Sequence, residues 1–361
     1  MKTILFNKIL LLLFTIPMTI WSNDSTLKGK FTKEKTVKKE FSVNADALLK
    51  VSNSYGNLHI TSWNENRVVI EVHIKTNGNN EDRVQQKLDE INIDFENSGS
   101  MVSAKTNFSK SKSWGWNWNN STVNMQINYT IKIPVKNSVN LSNDYGSILL
   151  DRIDGHAKIS CDYGRLEIGE LRGRSNSLSF DYTSKSSIGY IHSGEINADY
   201  SDFTIEKAGD LLLRADYTNS TVVHMENLEY ACDYGNIDIG AVTDVKGNGD
   251  YINVKLGTVR GNVAISSDYG SIRLNELTPE AGNVRLTTNY TNVKIGYSPF
   301  YYFDFEIRTR YAGVSGKDSF EMSVHQEKSN DHYYKGYYGQ PNSEKSIAIT
   351  SNYGGISFTK N

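Results

Sequence analysis

A chain of 361 residues would ordinarily divide into two or three domains, and a hydrophobic content of 38% is enough for a packed core. Its 39 basic and 41 acidic residues leave a net charge of −2, which excludes a general nucleic-acid binder. The unusual counts are 22 Tyr, 28 Gly and only 5 Pro, a balance that favours paired, extended backbone over flexible linkers.

Residues 1–22 read as a secretory signal peptide. Lys2 and Lys8 flank the start, and the uncharged run from Ile9 to Trp21 is too short to span a bilayer. Small Ser22 follows at a suitable cleavage point, and no cysteine lies near it to carry a lipid anchor. No later stretch is long and apolar enough to cross a membrane, so an exported protein without a transmembrane span is expected. Residues 23–40, with lysines from Lys28 to Lys39 interleaved with Glu34, read as a solvated linker. Residues 41–361 read as one domain.

That domain is dominated by a repeat: Asp or Asn (Ser or Arg in a few copies), then Tyr, then a small residue. Its tyrosines are Tyr55, Tyr145, Tyr163, Tyr182, Tyr200, Tyr217, Tyr234, Tyr251, Tyr269, Tyr290, Tyr311 and Tyr353, spaced 17 to 21 residues apart from Tyr145 to Tyr311. Six and four residues before the Tyr stand apolar pairs such as Val139/Leu141, Ala157/Ile159 and Val263/Ile265. Three and five residues after it stand Ile148/Leu150, Leu166/Ile168 and Ile272/Leu274. Each pair has the period of a strand, and the parity switch between them requires a turn or bulge, which the small residue after Tyr would supply. One such unit cannot bury its own apolar face, so the units must stack. The expected fold is mainly β: a single-stranded parallel β-helix, or solenoid, with coils of about 17–21 residues. Right-handed winding follows the preference of parallel crossovers; a left-handed hexapeptide helix is the alternative.

Two insertions interrupt the repeat. Residues 61–134 read as an α/β cap, with a strand at Val68–Ile74, a helix from Glu81 to Ile91 whose Val84, Leu88 and Ile91 share one face, and further strands near Ile91–Phe95, Met101–Thr106 and Met125–Ile133. Residues 317–344 form a second, aromatic insertion. Both are placed to shield the open ends of a stack.

Candidate sites are few. Trp114, Trp116 and Trp118 alternate beside Asn117, Asn119 and Asn120, a pattern suited to stacking on sugar rings or, alternatively, to packing on the solenoid end. Tyr333, Tyr334, Tyr337 and Tyr338 surround Gly336 and read as an exposed, mobile loop with the same two uses. Asp144, Asp162, Asp181, Asp199, Asp216, Asp233, Asp250 and Asp268 immediately precede their tyrosines and form an outward row. That row either binds cations weakly or, as the preferred reading, accepts backbone N–H groups at the corner. The tyrosines share the parity of the apolar positions and read as a buried ladder. Cys161 and Cys232 occupy one slot four coils apart, too far for a disulfide, and should be free buried thiols. The histidines show no metal-ligand spacing, and no nucleophile elbow or phosphate loop is present.

These features resemble the bacterial putative-adhesin family of β-strand repeats, of otherwise unknown function. The resemblance rests on the signal peptide, Leu49-Lys50-Val51, Tyr55-Gly56-Asn57-Leu58-His59-Ile60, Trp63, the helix-containing insertion, Tyr129-Thr130-Ile131-Lys132-Ile133-Pro134 and the glycine-containing coils. It covers nearly all of the chain after the signal. It implies a β-solenoid at the cell envelope, with adhesion by analogy and no catalytic residues to carry over. The leading expectation is a non-enzymatic, adhesin-like protein of the periplasm or cell surface, without cofactor, contacting a glycan or protein partner. The alternatives are a scaffold docking another envelope protein and a polysaccharide-acting β-helix enzyme.

Overall fold

A computed structural model of the chain describes residues 28–109 and 123–361; residues 1–22, read as a signal peptide, and Trp114, Trp116 and Trp118 lie outside them. Of the described residues 70% are in strands and 3% in helix, so the protein is mainly β.

The strands form two long ladders of parallel pairs. In the first, Leu48–Ser54 pairs with Ser138–Asp144, which pairs with Ala157–Asp162, and the series continues through Asn176–Asp181 to Val263–Leu277 and Val284–Tyr297. In the second, Leu58–Trp63 pairs with Ile148–Ile153, which pairs with Leu166–Leu171, and so on in the same order. Register is set by the apolar pairs read from the sequence. Ile159 lies between Leu141 and Leu178, and Ile168 lies between Leu150 and Ile188. All six are buried, and each such side chain stabilises by about 1.5–3 kcal/mol.

The switch of parity sits on the tyrosine, not on the residue after it. All twelve repeat tyrosines have φ between +50° and +65°, whereas no glycine following one of them does. A left-handed residue turns the chain out of one ladder and into the other while pointing its own side chain outward. The following residue is Gly in six repeats for a different reason. A Cβ on Gly164 would lie 2.0 Å from the carbonyl oxygen of Gly146 in the adjacent repeat. Elsewhere this position holds buried Thr183, Ser201, Thr218 and Thr291, and the hydroxyls of the last three donate to neighbouring backbone carbonyls.

The 61–134 region contains Arg67–Gly78, the helix Glu81–Glu90, Ile91–Ser98, Met101–Phe108 and Asn124–Pro134. Asn80 caps the helix by accepting from the Arg83 N–H, and Val84 and Leu88 are its buried residues. Met101–Phe108 extends the first ladder beside Leu48–Ser54, and Asn124–Pro134 extends the second beside Leu58–Trp63. Tyr55 and Tyr145 are therefore neighbours in space despite 90 residues of separation.

The stretch read as a linker is a strand. Phe31–Ser42 pairs antiparallel along the whole of Arg67–Gly78. Lys33 and Lys35 are half-buried along their stems while their ammonium groups reach partners: Lys35 Nζ donates to the Leu88 and Ile91 carbonyls at the end of the helix, and Lys33 pairs with Glu81 at 2.7 Å.

Cys161 and Cys232 are free and buried, and burial pushes both thiols up to about 12. Neither should react with maleimide in the native protein at pH 8, and both should react once it is unfolded; mass spectrometry of the labelled chain reads the result.

Candidate functional site

Repetition of Asp-Tyr builds a continuous stripe along one edge of the stack. The left-handed tyrosine interrupts strand pairing, and the chain repairs the loss locally. From Tyr145 to Tyr251, each Tyr N–H donates to the carbonyl of the residue preceding the next tyrosine, as in Tyr145 to Asp162 and Tyr217 to Asp233. The aspartate side chains complete the pattern. Oδ1 of Asp162, Asp181, Asp199, Asp216 and Asp233 accepts the N–H of the aspartate one repeat further on, at 3.3, 3.0, 3.1, 2.9 and 2.7 Å. These carboxylates thus satisfy backbone donors that the kink would otherwise strand. Burial, and then the neighbouring Asp162 and Asp199, raise the Asp181 pKa against the opposing effect of its hydrogen bond. No group of three or more His, Cys, Asp or Glu among the described residues is arranged to hold a metal ion.

The tyrosine ladder, expected to be core, is on the surface. Each of the twelve rings is between 41% and 54% exposed. They form one uninterrupted stack of eleven contacts, with centroids 4.6 to 5.2 Å apart and planes within 9° of parallel. At a strand spacing of about 4.8 Å the stripe is about 53 Å long. Offset stacking covers the ring faces, so the stack presents ring edges to solvent. None of the twelve hydroxyls bonds to another described group. Burial, then the adjacent phenols and aspartates, raise the pKa of Tyr200 and Tyr234.

Polar rows flank the rings in the same register. Asn253 donates to Asn236 at 3.1 Å, Asn236 donates to Asn219 at 2.6 Å, and Ser271 donates to Asn253 at 2.7 Å. Arg214, the one base in the row beside the aspartates, is paired with Glu195. The result is a flat lattice of phenols, amides and carboxylates repeated at the strand spacing, with little positive charge.

A sequence signal for this placement existed. The residue after Tyr varies among Gly, Ser, Thr, Ile and Ala, whereas the Tyr does not, so a backbone feature common to every repeat belongs on the Tyr.

The second aromatic group is not a loop. Tyr333, Tyr334, Tyr337 and Tyr338 lie in the strand Asp331–Tyr338, paired antiparallel with both Phe303–Arg310 and Glu321–Lys328. Tyr334 and Tyr338 are buried, while Tyr333 and Tyr337 are half-buried on the opposite side. Gly336 serves close packing: a Cβ there would lie 1.9 Å from the Glu321 carbonyl oxygen. The Tyr338 hydroxyl donates to the Pro299 carbonyl and the Tyr334 hydroxyl donates to Glu327. Hydrogen bonds from His325 and then Tyr334 hold the Glu327 carboxyl down at about 2. A depressed carboxylate pKa gives stability that is complete above the unfolded value, near 4.5, and is lost as pH falls towards 2. Protection factors in Glu321–Lys328, referred to the intrinsic exchange rate at each pH, should therefore fall across that window, and Glu327→Gln should flatten the response.

No helix among the described residues is long and apolar enough to cross a membrane. No protein-family model matches the chain, and no curated protein matches it. Solved structures are similar to it at low identity. A putative cell adhesion protein from Clostridium sporogenes is 13% identical, with 91% of this chain and 100% of that chain covered and a TM-score of 0.20. A putative adhesin from Parabacteroides distasonis is 9% identical, covering 90% and 97%, with a TM-score of 0.34. A putative lipid binding protein from the same organism is 12% identical, covering 90% and 96%, with a TM-score of 0.27. Likeness at these scores carries no argument about function, which rests on the chain's own residues.

Proposed function

We propose that this chain is an exported, non-enzymatic, adhesin-like protein of the cell envelope, whose two ladders wind as a right-handed parallel β-solenoid and whose tyrosine stripe binds extended, hydroxyl-rich polysaccharide. One observation carries the reading: twelve tyrosines occupy left-handed backbone positions and are held half exposed in a single stack. A non-glycine residue in that conformation costs about 1–2 kcal/mol, and Gly or Asn would fill it more cheaply. Each ring contact returns about 0.5–1.5 kcal/mol beyond the area it buries, which offsets the strain of its kink only in part. Stability alone does not account for tyrosine in every repeat, and strained backbone that persists on an exposed face is a mark of a working surface.

The chemistry of the stripe selects the partner. Covered ring faces leave little room for stacking on individual sugars, whereas in-register phenols, amides and carboxylates suit hydrogen bonding along a regular polymer. The aspartate row disfavours acidic polymers. The carboxylates lie on an open face with one oxygen engaged by backbone in five consecutive repeats, which suits binding better than cleavage. The insertions at 61–134 and 317–344 act as caps on the two ends of the stack, and the alternating Trp114, Trp116 and Trp118 serve as a second sugar contact.

The test is co-sedimentation of the signal-free protein with a neutral β-glucan, an amino-sugar polymer and an acidic uronan, with polymer length followed in the same tubes. Retention on the first two and not the third is expected, with polymer length unchanged. Shortening of any polymer would replace this reading with an enzymatic one. Absence of binding to all three would favour a scaffold that docks another envelope protein.

A further inference from the structure

Towards the C-terminal end of the stack, the order of strands in space departs from their order in the chain. Val284–Tyr297 is followed in sequence by Phe303–Arg310, yet the two do not pair. Ser346–Asn352 lies between them, parallel to both: Ile347 is opposite Val284 on one side and Phe305 on the other, and Ile349 is opposite Leu286 and Ile307. The same segment continues into the second ladder, where Ile356–Lys360 pairs with the end of Val284–Tyr297 and with Val314–Ser315. The tyrosine stack records the inversion. Tyr353 is inserted between Tyr290, at 4.6 Å, and Tyr311, at 4.8 Å.

Earlier parts of the chain thus form both walls of a slot one strand wide, and a later segment fills it. Without the filler, each wall would present an unpaired strand edge. The filler is joined to the hairpin before it by residues 339–345, where Gly339, Gln340, Pro341, Asn342 and Glu344 are exposed. The strand pairings of the filler are all made with the walls of the slot, so the same pairings form whichever copy of the chain supplies it.

We propose that the slot is an exchange site for a second copy of this chain: residues 346–361 of one molecule enter the slot of another and join the two. The slot specifies its occupant closely. It requires a parallel strand with apolar residues at the spacing of Ile347 and Ile349, a left-handed tyrosine at Tyr353, and a second apolar pair at Ile356 and Phe358, all of which are buried or stacked here. The segment that meets all of these demands is the chain's own.

Thr287 and Thr350 are exposed, in-register neighbours across one wall, close enough for a disulfide. A chain carrying both Thr287→Cys and Thr350→Cys should close an intramolecular disulfide on oxidation, which checks the register. Two differently tagged full chains, one with Thr287→Cys and the other with Thr350→Cys, are then mixed at high concentration, warmed below the unfolding midpoint, cooled and oxidised. A covalent heterodimer of twice the chain mass is expected, absent when either cysteine is omitted. An intramolecular crosslink in the double variant together with no heterodimer in the mixture, even after co-refolding, would overturn exchange. Failure of the double variant to crosslink would overturn the slot itself.

Discussion

Replacing Tyr217 by Val is expected to destabilise the protein by about 3–5 kcal/mol, whereas Tyr217→Asn and Tyr217→Gly should cost no more than about 2 kcal/mol. All three substitutions remove the two ring contacts with Tyr200 and Tyr234, at 4.8 and 4.7 Å. They differ in what the backbone then requires. Position 217 has φ +53°, which Gly and Asn accept and a β-branched residue resists. The loss of stacking is partly returned by relief of strain in the first two variants and is compounded in the third. Urea denaturation of the three variants measures the order directly. If Asn and Val proved equally harmful, the ladder would be held by ring packing rather than by the left-handed corner. The claim that stability does not explain the tyrosines would then fail.

Deleting residues 346–361 should be the most damaging change at the far end of the stack, and its damage should stay there. Ile347, Ile349, Ile356 and Phe358 are buried, and losing four such side chains removes more than about 6 kcal/mol of favourable burial. Stacked repeats communicate mainly with their neighbours, so the loss is local. Phe303–Arg310 would keep its antiparallel partner Asp331–Tyr338 but lose the strand that ties both to Val284–Tyr297. Hydrogen exchange should show protection lost across Phe303–Arg310 and Asp331–Tyr338 while Ala157–Asp162 stays protected. Uniform loss of protection throughout the chain would contradict a stack whose stability is summed from neighbour to neighbour.

What the sequence revealed and concealed divides along physical lines. Apolar pairs such as Leu141/Ile159 and Leu150/Ile168 were legible because burial imposes a period of two and stacking imposes the same register on every repeat. The helix at Glu81–Glu90 was legible from the spacing of Val84 and Leu88. Phe31–Ser42 was not, because lysines at Lys33 and Lys35 occupy its inward side with their stems and mimic a solvated run. Outward tyrosines were not, because aromatic residues seldom adopt positive φ and parity alone points them inward. Gly336 concealed the strand Asp331–Tyr338, since a glycine among polar and aromatic residues looks like a loop until the close approach of Glu321 is known. The position of Tyr353 was beyond reach, because spacing along the chain cannot say which rung is filled out of turn.

The central claim is that the stripe, and not merely the fold, makes the contact. The most direct measurement is polysaccharide binding by a variant with Tyr200→Asn, Tyr217→Asn and Tyr234→Asn, compared with the parent protein at matched concentration. Circular dichroism and an unchanged hydrogen-exchange pattern in Ala157–Asp162 would first show that the variant is folded. Loss of neutral-glucan binding by at least tenfold in the folded variant is the predicted result. Full binding by a folded protein whose stack has been interrupted at its centre would contradict the account.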